Sequence, residues 1–223
     1  MLETDLNLIT EIKLYYDLYT PEDLKNPAPL LIAVHGYGAH KRYMMREARL
    51  VAPEDFVIVS LQAPFQHFRE ANGTYKVGFG WLTDYKADES VSLHHNFVLE
   101  VIEKLAGREI VDAEKIYLYG FSQACALNFR FAFTFPQILR GLTGACGGIP
   151  SDLETNPRYN PTNADVFYLY GKKDEFYPFE KFQSFEQKLK KFAPNLHAKS
   201  YDAKHEITDE MRSDIRKWLT VND

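Results

Sequence analysis

The chain has only two cysteines in 223 residues, Cys125 and Cys146. That scarcity argues against a disulfide-stapled scaffold or a cysteine-built metal site, and both lie in apolar stretches that read as buried thiols. It also lacks any apolar run near the ~20 residues a membrane helix needs. Its first residues, Met1-Leu2-Glu3-Thr4-Asp5, have neither the basic start nor the apolar core of a secretory signal, so a soluble, cytoplasmic protein is expected. Basic charge is in deficit, with 26 Lys and Arg against 31 Asp and Glu and a net charge of −5. No Lys/Arg stripe interleaves with aromatics, which argues against a nucleic-acid partner. Asn72-Gly73-Thr74 matches a glycosylation sequon, but without a secretory signal it carries no weight.

What remains is ordinary globular composition, rich in aromatics, with 14 Tyr and 16 Phe. A chain of this length can bury roughly 70% of its unfolded surface. No repeat or linker divides it, so a single domain over 1–223 is expected, residues 1–28 forming an N-terminal edge strand and connection. Leu6, Leu8, Ile12, Leu14, Tyr16 and Leu18 alternate with polar residues as in a half-exposed edge strand. Leu30 to Val34, Phe56 to Leu61, Ile116 to Tyr119, Leu139 to Cys146 and Asp165 to Gly171 read as buried strands, and His197 to Tyr201 as a last short one. Helical spacing covers Tyr43 to Val51 (Met44, Met45, Ala48 and Leu50 inward), Ser90 to Ala106, the stretch after Ser122, Pro178 to Phe192, and Thr208 to Val221. Strands alternating with helices predict an α/β fold with a doubly wound, mostly parallel sheet flanked by helices, its function at the strand carboxyl ends.

One stretch dissolves into polar and aromatic residues. Gln62 to Lys86 reads as a long connection without a strand or helix of its own, and a connection that long is usually functional. Phe65, Phe79 and Trp81 within it are candidates for an apolar acyl or aryl pocket.

The chemistry is concentrated at Gly120-Phe121-Ser122-Gln123-Ala124, which joins a strand to a helix. It fits the nucleophile-elbow pattern G-x-S-x-G with Ala in the last place. The sharp turn matters because a serine inside a strand is shielded, whereas one on the turn stands above the sheet before backbone donors. Such a serine needs a base and a carboxylate to orient it. Asp174, three residues past Gly171, and His205, four past Tyr201, both follow strand carboxyl ends. The order Ser122, Asp174, His205 matches the α/β-hydrolase arrangement. Asp165 and His197 begin their strands and fall at the opposite edge, and Asp202 is the weaker rival for the acid. His205-Glu206 opens like a zincin motif, but Asp209 stands where its second histidine belongs. His94 and His95 are adjacent on a helix and point about 100° apart, so no metal site is expected from them.

Val34-His35-Gly36-Tyr37-Gly38, Gly120-Phe121-Ser122-Gln123, Gly171-Lys172-Lys173-Asp174 and His205 together resemble the phospholipase/carboxylesterase family of α/β-hydrolases, which includes acyl-protein thioesterases. The resemblance runs from about Leu30 to Leu219. It implies an α/β-hydrolase fold, an oxyanion hole from the backbone N–H groups of Tyr37 and Gln123, a small-molecule ester or thioester substrate, and no cofactor. One donor from the residue after the nucleophile and one from the loop after an early strand is also what acyl transfer requires. Ala124 and Cys125 stand where the family usually has Gly-Gly, a departure expected to bear on substrate size, and Ala39-His40 replaces a frequent Asp or Asn. A serine hydrolase acting through an acyl-enzyme is therefore expected, its activity falling in acid as the base protonates. A serine peptidase of the same fold and a catalytically silent binding module are the competing readings. The aromatic content is compatible with a homodimer.

Overall fold

Runs that are apolar at every position form strands covered on both faces. The computed structural model describes residues 1–24, 27–71 and 73–222; the Asn72 acceptor of the sequon lies outside them. Along the chain come β1 (Tyr16–Tyr19), β2 (Ala28–Val34), α1 (Lys41–Val51), β3 (Val57–Leu61), β4 (Phe65–Ala71), β5 (Thr74–Gly80) and α2 (Ala87–Ala106). Then follow β6 (Val111–Phe121), α3 (Gln123–Thr134), β7 (Gly141–Ala145), β8 (Asp165–Gly171), α4 (Phe179–Leu189), β9 (Leu196–Tyr201) and α5 (Asp209–Asn222). Seven strands make one sheet in the order β1-β3-β2-β6-β7-β8-β9, all neighbours parallel except β1, which runs antiparallel to β3.

Strand alternation divides the core into two layers. Leu30, Ile32, Val34, Ile116, Leu118, Val166 and Tyr168 face one side, where α2, α3 and α4 bring Val98, Val101, Phe129, Phe133 and Phe182. Leu31, Ala33, Tyr117, Tyr119, Phe167 and Leu169 face the other, against Met44, Ala48 and Val51 of α1 and Met211, Ile215 and Leu219 of α5. Each large apolar side chain so buried contributes about 1.5–3 kcal/mol over its exposed state. His94 and His95 are buried packing residues on α2. Among the described residues no helix is long and apolar enough to cross a membrane.

Three expectations are corrected here. The N-terminal strand shrinks to Tyr16–Tyr19, while Leu6, Leu8 and Ile12 stay exposed. Its partner β3 ends at Leu61, opposite Tyr16, and one further bond from Gln62 N–H to the Tyr15 carbonyl closes the ladder. Among the described residues, no strand is left for the upstream residues to pair with. On α1 it is Val51 rather than Leu50 that turns inward; Leu50 is exposed. The connection after β3 does build structure, since β4 and β5 pair antiparallel as a separate hairpin from Phe65↔Gly80 to Ala71↔Thr74. The hairpin is fastened to the loop after β2 by Gly38 N–H donating to the Phe79 carbonyl at 2.8 Å and by a bridge between Ala39 and Phe79.

Candidate active site

The end of β6 turns sharply into α3 at Ser122. Ser122 adopts φ 56° and ψ −119°, a conformation that costs a non-glycine residue about 1–3 kcal/mol. Neighbours over-determine it: Ser122 N–H donates to the Ala145 carbonyl at 2.9 Å, and the Ser122 carbonyl accepts from Cys125 N–H at 3.0 Å. A Cβ on Gly120 would meet Asn128 Nδ2 at 2.7 Å and the Ala124 carbonyl carbon at 3.2 Å, so glycine eases the close return of α3 onto the strand. Ala124 and Cys125 are fully buried beneath the turn, the Cys125 thiol 3.3 Å from the carbonyls of Gly120 and Ala145. Neither side chain reaches the cavity beside Ser122, so the departure from Gly-Gly lies in the packing of the elbow and not in pocket width. Burial pushes the Cys125 thiol well up and that of Cys146 up to about 12, so both stay protonated at neutral pH.

Asp174, His205 and Ser122, from three different strand ends, form one hydrogen-bonded line. Asp174 Oδ2 lies 2.8 Å from His205 Nδ1, and His205 Nε2 lies 2.9 Å from Ser122 Oγ. A carboxylate can only accept, which fixes the proton on Nδ1 and leaves Nε2 free to accept from the serine hydroxyl. The other Asp174 oxygen accepts the backbone N–H groups of Phe176 and Tyr177 at 2.9 and 3.0 Å, so the carboxylate is held at both ends. His205 N–H donates to Glu175 Oε2 at 3.0 Å. The rivals are elsewhere: Asp202 pairs with Lys173 on the surface, Asp165 with Arg140, and His197 packs on Phe167.

The turn after Asp174 also carries residues the sequence reading missed. Phe176 and Tyr177 approach the His205 ring with centroids at 4.7 and 6.2 Å, and Phe121 at 4.9 Å closes a third side. Only the spacing of an Asp two and three residues before paired aromatics hinted at an Asx-type turn.

The loop after β2 faces Ser122. A Cβ on Gly36 would lie 3.1 Å from Ser122 Cβ, so glycine permits the approach. His35 is buried, with Nδ1–H donating to the Gly36 carbonyl at 2.8 Å and Nε2 accepting from Ala63 N–H at 3.1 Å and from the Gln62 amide at 3.0 Å. Burial lowers its pKa to about 4, outweighing the Gly36 hydrogen bond, and the ring stays neutral at physiological pH. Tyr37 stacks its ring on His67 at 4.5 Å. Among the described residues, neither Tyr37 N–H nor Gln123 N–H has a hydrogen-bond acceptor.

A cavity of about 650 Å³ opens beside Ser122, lined by Tyr37, Leu82, Phe121, Ala126, Phe176 and Tyr177 among others. The three aromatics expected to form the pocket do not line it. Trp81 is buried under the His35 loop, Phe79 packs on His40 at the hairpin base, and Phe65 is partly exposed at the start of β4. Phe65 and Phe79 are committed to the paired hairpin, and Trp81, just past its end, is held by the His35 loop instead. Among the described residues no three His, Cys, Asp or Glu side chains converge to hold a metal ion.

This architecture recurs in solved structures at low sequence identity. The Bacillus cereus carboxylesterase superposes with a TM-score of 0.72 at 15% identity, covering 94% of this chain and 95% of that one. Esterase PE8 gives 0.74 at 18%, covering 95% and 100%, and Zea mays acyl-protein thioesterase 2 gives 0.69 at 16%, covering 93% and 98%. No curated protein sequence matches the chain. The family model for Phospholipase/Carboxylesterase matches residues 20–222, a span holding all seven strands of the sheet except the first, and all three members of the hydrogen-bonded line. With that match, the chain belongs to the phospholipase/carboxylesterase family and has the α/β-hydrolase fold.

Proposed function

We propose that the chain is a serine hydrolase of carboxylic esters or thioesters, with Ser122 as nucleophile, His205 as base and Asp174 as the group that orients the base. The observation carrying this reading is the unbroken line from Asp174 Oδ2 to His205 Nδ1 (2.8 Å) and from His205 Nε2 to Ser122 Oγ (2.9 Å). Ser122 Oγ attacks the carbonyl carbon as His205 Nε2 takes its proton; Asp174 stabilises the imidazolium that forms. The N–H groups of Tyr37 and Gln123 receive the oxyanion, each worth about 10²–10³ in rate. His205 then protonates the departing alcohol or thiol, and water activated by the same nitrogen releases the acid.

The cavity walls support an apolar substrate class. The lining holds no Asp, Glu, Lys or Arg and is largely aliphatic or aromatic, which suits an apolar acyl group or leaving group in a small molecule. Labelling with a fluorophosphonate, located by mass spectrometry, tests the reading without needing the substrate. The expected adduct is on Ser122 and disappears in His205→Ala; a folded protein that takes no adduct would leave the binding-module reading in its place.

A further inference from the structure

We infer that Trp81 is a positioning residue that couples the two oxyanion donors into one unit, through its indole N–H and through the side chain of Gln123. The inference rests on the reading above, in which Tyr37 and Gln123 supply those donors.

The two N–H groups leave different strands, β2 and β6, and catalysis requires that such donors be held to within roughly 0.5 Å. The Tyr37 N–H shares a peptide with the Gly36 carbonyl. That peptide is planar and trans, so its carbonyl and N–H point in opposite directions. The Gly36 carbonyl is taken by His35 Nδ1–H at 2.8 Å and by Ala39 N–H at 3.3 Å, which aims the Tyr37 N–H away from both. The neighbouring peptide is held through its own carbonyl, because Trp81 Nε1–H donates to the His35 oxygen at 2.8 Å. Trp81 is buried, its ring against His35 at 5.4 Å and edge-on to His94 at 5.3 Å.

The other end of the coupling starts at Gln123. Its Oε1 accepts the Trp81 backbone N–H at 3.0 Å and its Nε2 donates to the Leu82 carbonyl at 3.0 Å. The amide thus engages residues 81 and 82 with an acceptor and a donor, as a neighbouring strand would, and the same contact holds Leu82 in the cavity wall. Gln123 N–H, Gln123 amide, Trp81 backbone, Trp81 indole, His35 carbonyl and Tyr37 N–H form a continuous connection from one donor to the other. A packing role would need only a flat apolar ring at position 81; this role needs its N–H.

Trp81→Phe keeps a ring and removes the donor, and Gln123→Met keeps the length and the backbone N–H while removing both amide contacts. Rates are measured on a soluble short-chain ester per site titrated with fluorophosphonate. In each variant kcat should fall about 10- to 100-fold, with KM within about twofold. A trifluoromethyl ketone, whose adduct with Ser122 places an oxyanion between the donors, should bind more weakly by the same factor as kcat/KM. The double variant should lose little more than the worse single one, since both break the same connection. If Trp81→Phe does not fold, Gln123→Met carries the test alone. Folded variants with kcat within twofold of the unchanged protein, or with KM raised and ketone affinity intact, would overturn the inference. An unchanged protein that neither takes the label nor cleaves any ester would overturn the reading of Ser122 itself, an outcome distinct from active protein with indifferent variants.

Discussion

Gly147 lies so close to Ser122 that a Cβ on it would sit 2.2 Å from the Ser122 carbonyl oxygen and 2.5 Å from Cys125 Sγ. That carbonyl already accepts Cys125 N–H, so it cannot retreat without opening the turn. Gly147→Ala should therefore destabilise the fold by about 2 kcal/mol or more and cost roughly 100-fold in kcat/KM. Gly144→Ala is the control, because the nearest atoms to its added Cβ are ring carbons of Phe129 at 3.4 Å. Urea unfolding and ester hydrolysis on both variants would check this; equal tolerance at the two glycines would count against a closed elbow.

Asp174 splits its two oxygens between structure and chemistry. Oδ1 holds the turn through Phe176 and Tyr177, while Oδ2 faces His205. In Asp174→Asn the amide oxygen can keep the turn, but the NH₂ then confronts Nδ1 and favours the tautomer with its proton on Nε2, which cannot act as base. A loss of about 10³–10⁴ in kcat is expected, with little change in melting temperature. Asp174→Ala should lose the turn as well, and its melting temperature should drop. Melting curves beside kcat separate the two roles, and a stability loss in Asn equal to that in Ala would refute the split.

The strands that carry the site were legible because a strand buried on both faces must be apolar throughout, as Leu30 to Val34 and Val166 to Tyr170 are. Ser122 and Asp174 were legible because each follows such a run, and His205 because it follows the last, half-exposed strand, all at the edge where a parallel sheet gathers its loops. The hairpin was not, although Tyr75, Val77 and Phe79 alternate and Asn72-Gly73 is a common hairpin-turn dipeptide. The opposing strand, Phe65 to Ala71, shows no alternation, and its polar face rests on the Tyr37 loop instead of a core. The contrary error occurred at Leu6 to Leu14, where alternation was present and no partner strand was. Periodicity reports what a segment could bury, and pairing depends on what the rest of the chain offers it.

Cys125 replaces a glycine common in the family, and its side chain is sealed under the elbow. Cys125→Gly should thus lower stability by about 2 kcal/mol, from lost burial and from glycine within α3. It should leave the preference among acyl chain lengths unchanged, because position 125 does not border the cavity. Rates across a series of p-nitrophenyl esters from short to long acyl chains decide the matter; a profile shifted toward longer chains would return Cys125 to the pocket.

Three buried histidines should make the fold sensitive to mild acid. Burial lowers His35 and His95 to about 4 and His94 to about 3, with neighbouring positive charge adding to the burial effect and local hydrogen bonds opposing it. In the unfolded chain the same groups titrate near ~6.5. Between those values the unfolded state binds more protons, so their contribution is complete above pH ~6.5 and is lost as pH falls toward 4. The slope can reach about 1.4 kcal/mol per pH unit for each group, or about 4 for the three together. Asp152 and Asp214, which burial would raise but hydrogen bonds and ion pairs hold low, act in a separate window near and below the ordinary carboxylate range. Melting temperature should therefore drop between pH 7 and pH 5, and His94→Gln should shallow that drop even if it lowers stability at pH 7. A melting temperature flat over this interval would show that these rings can take up protons within the folded core.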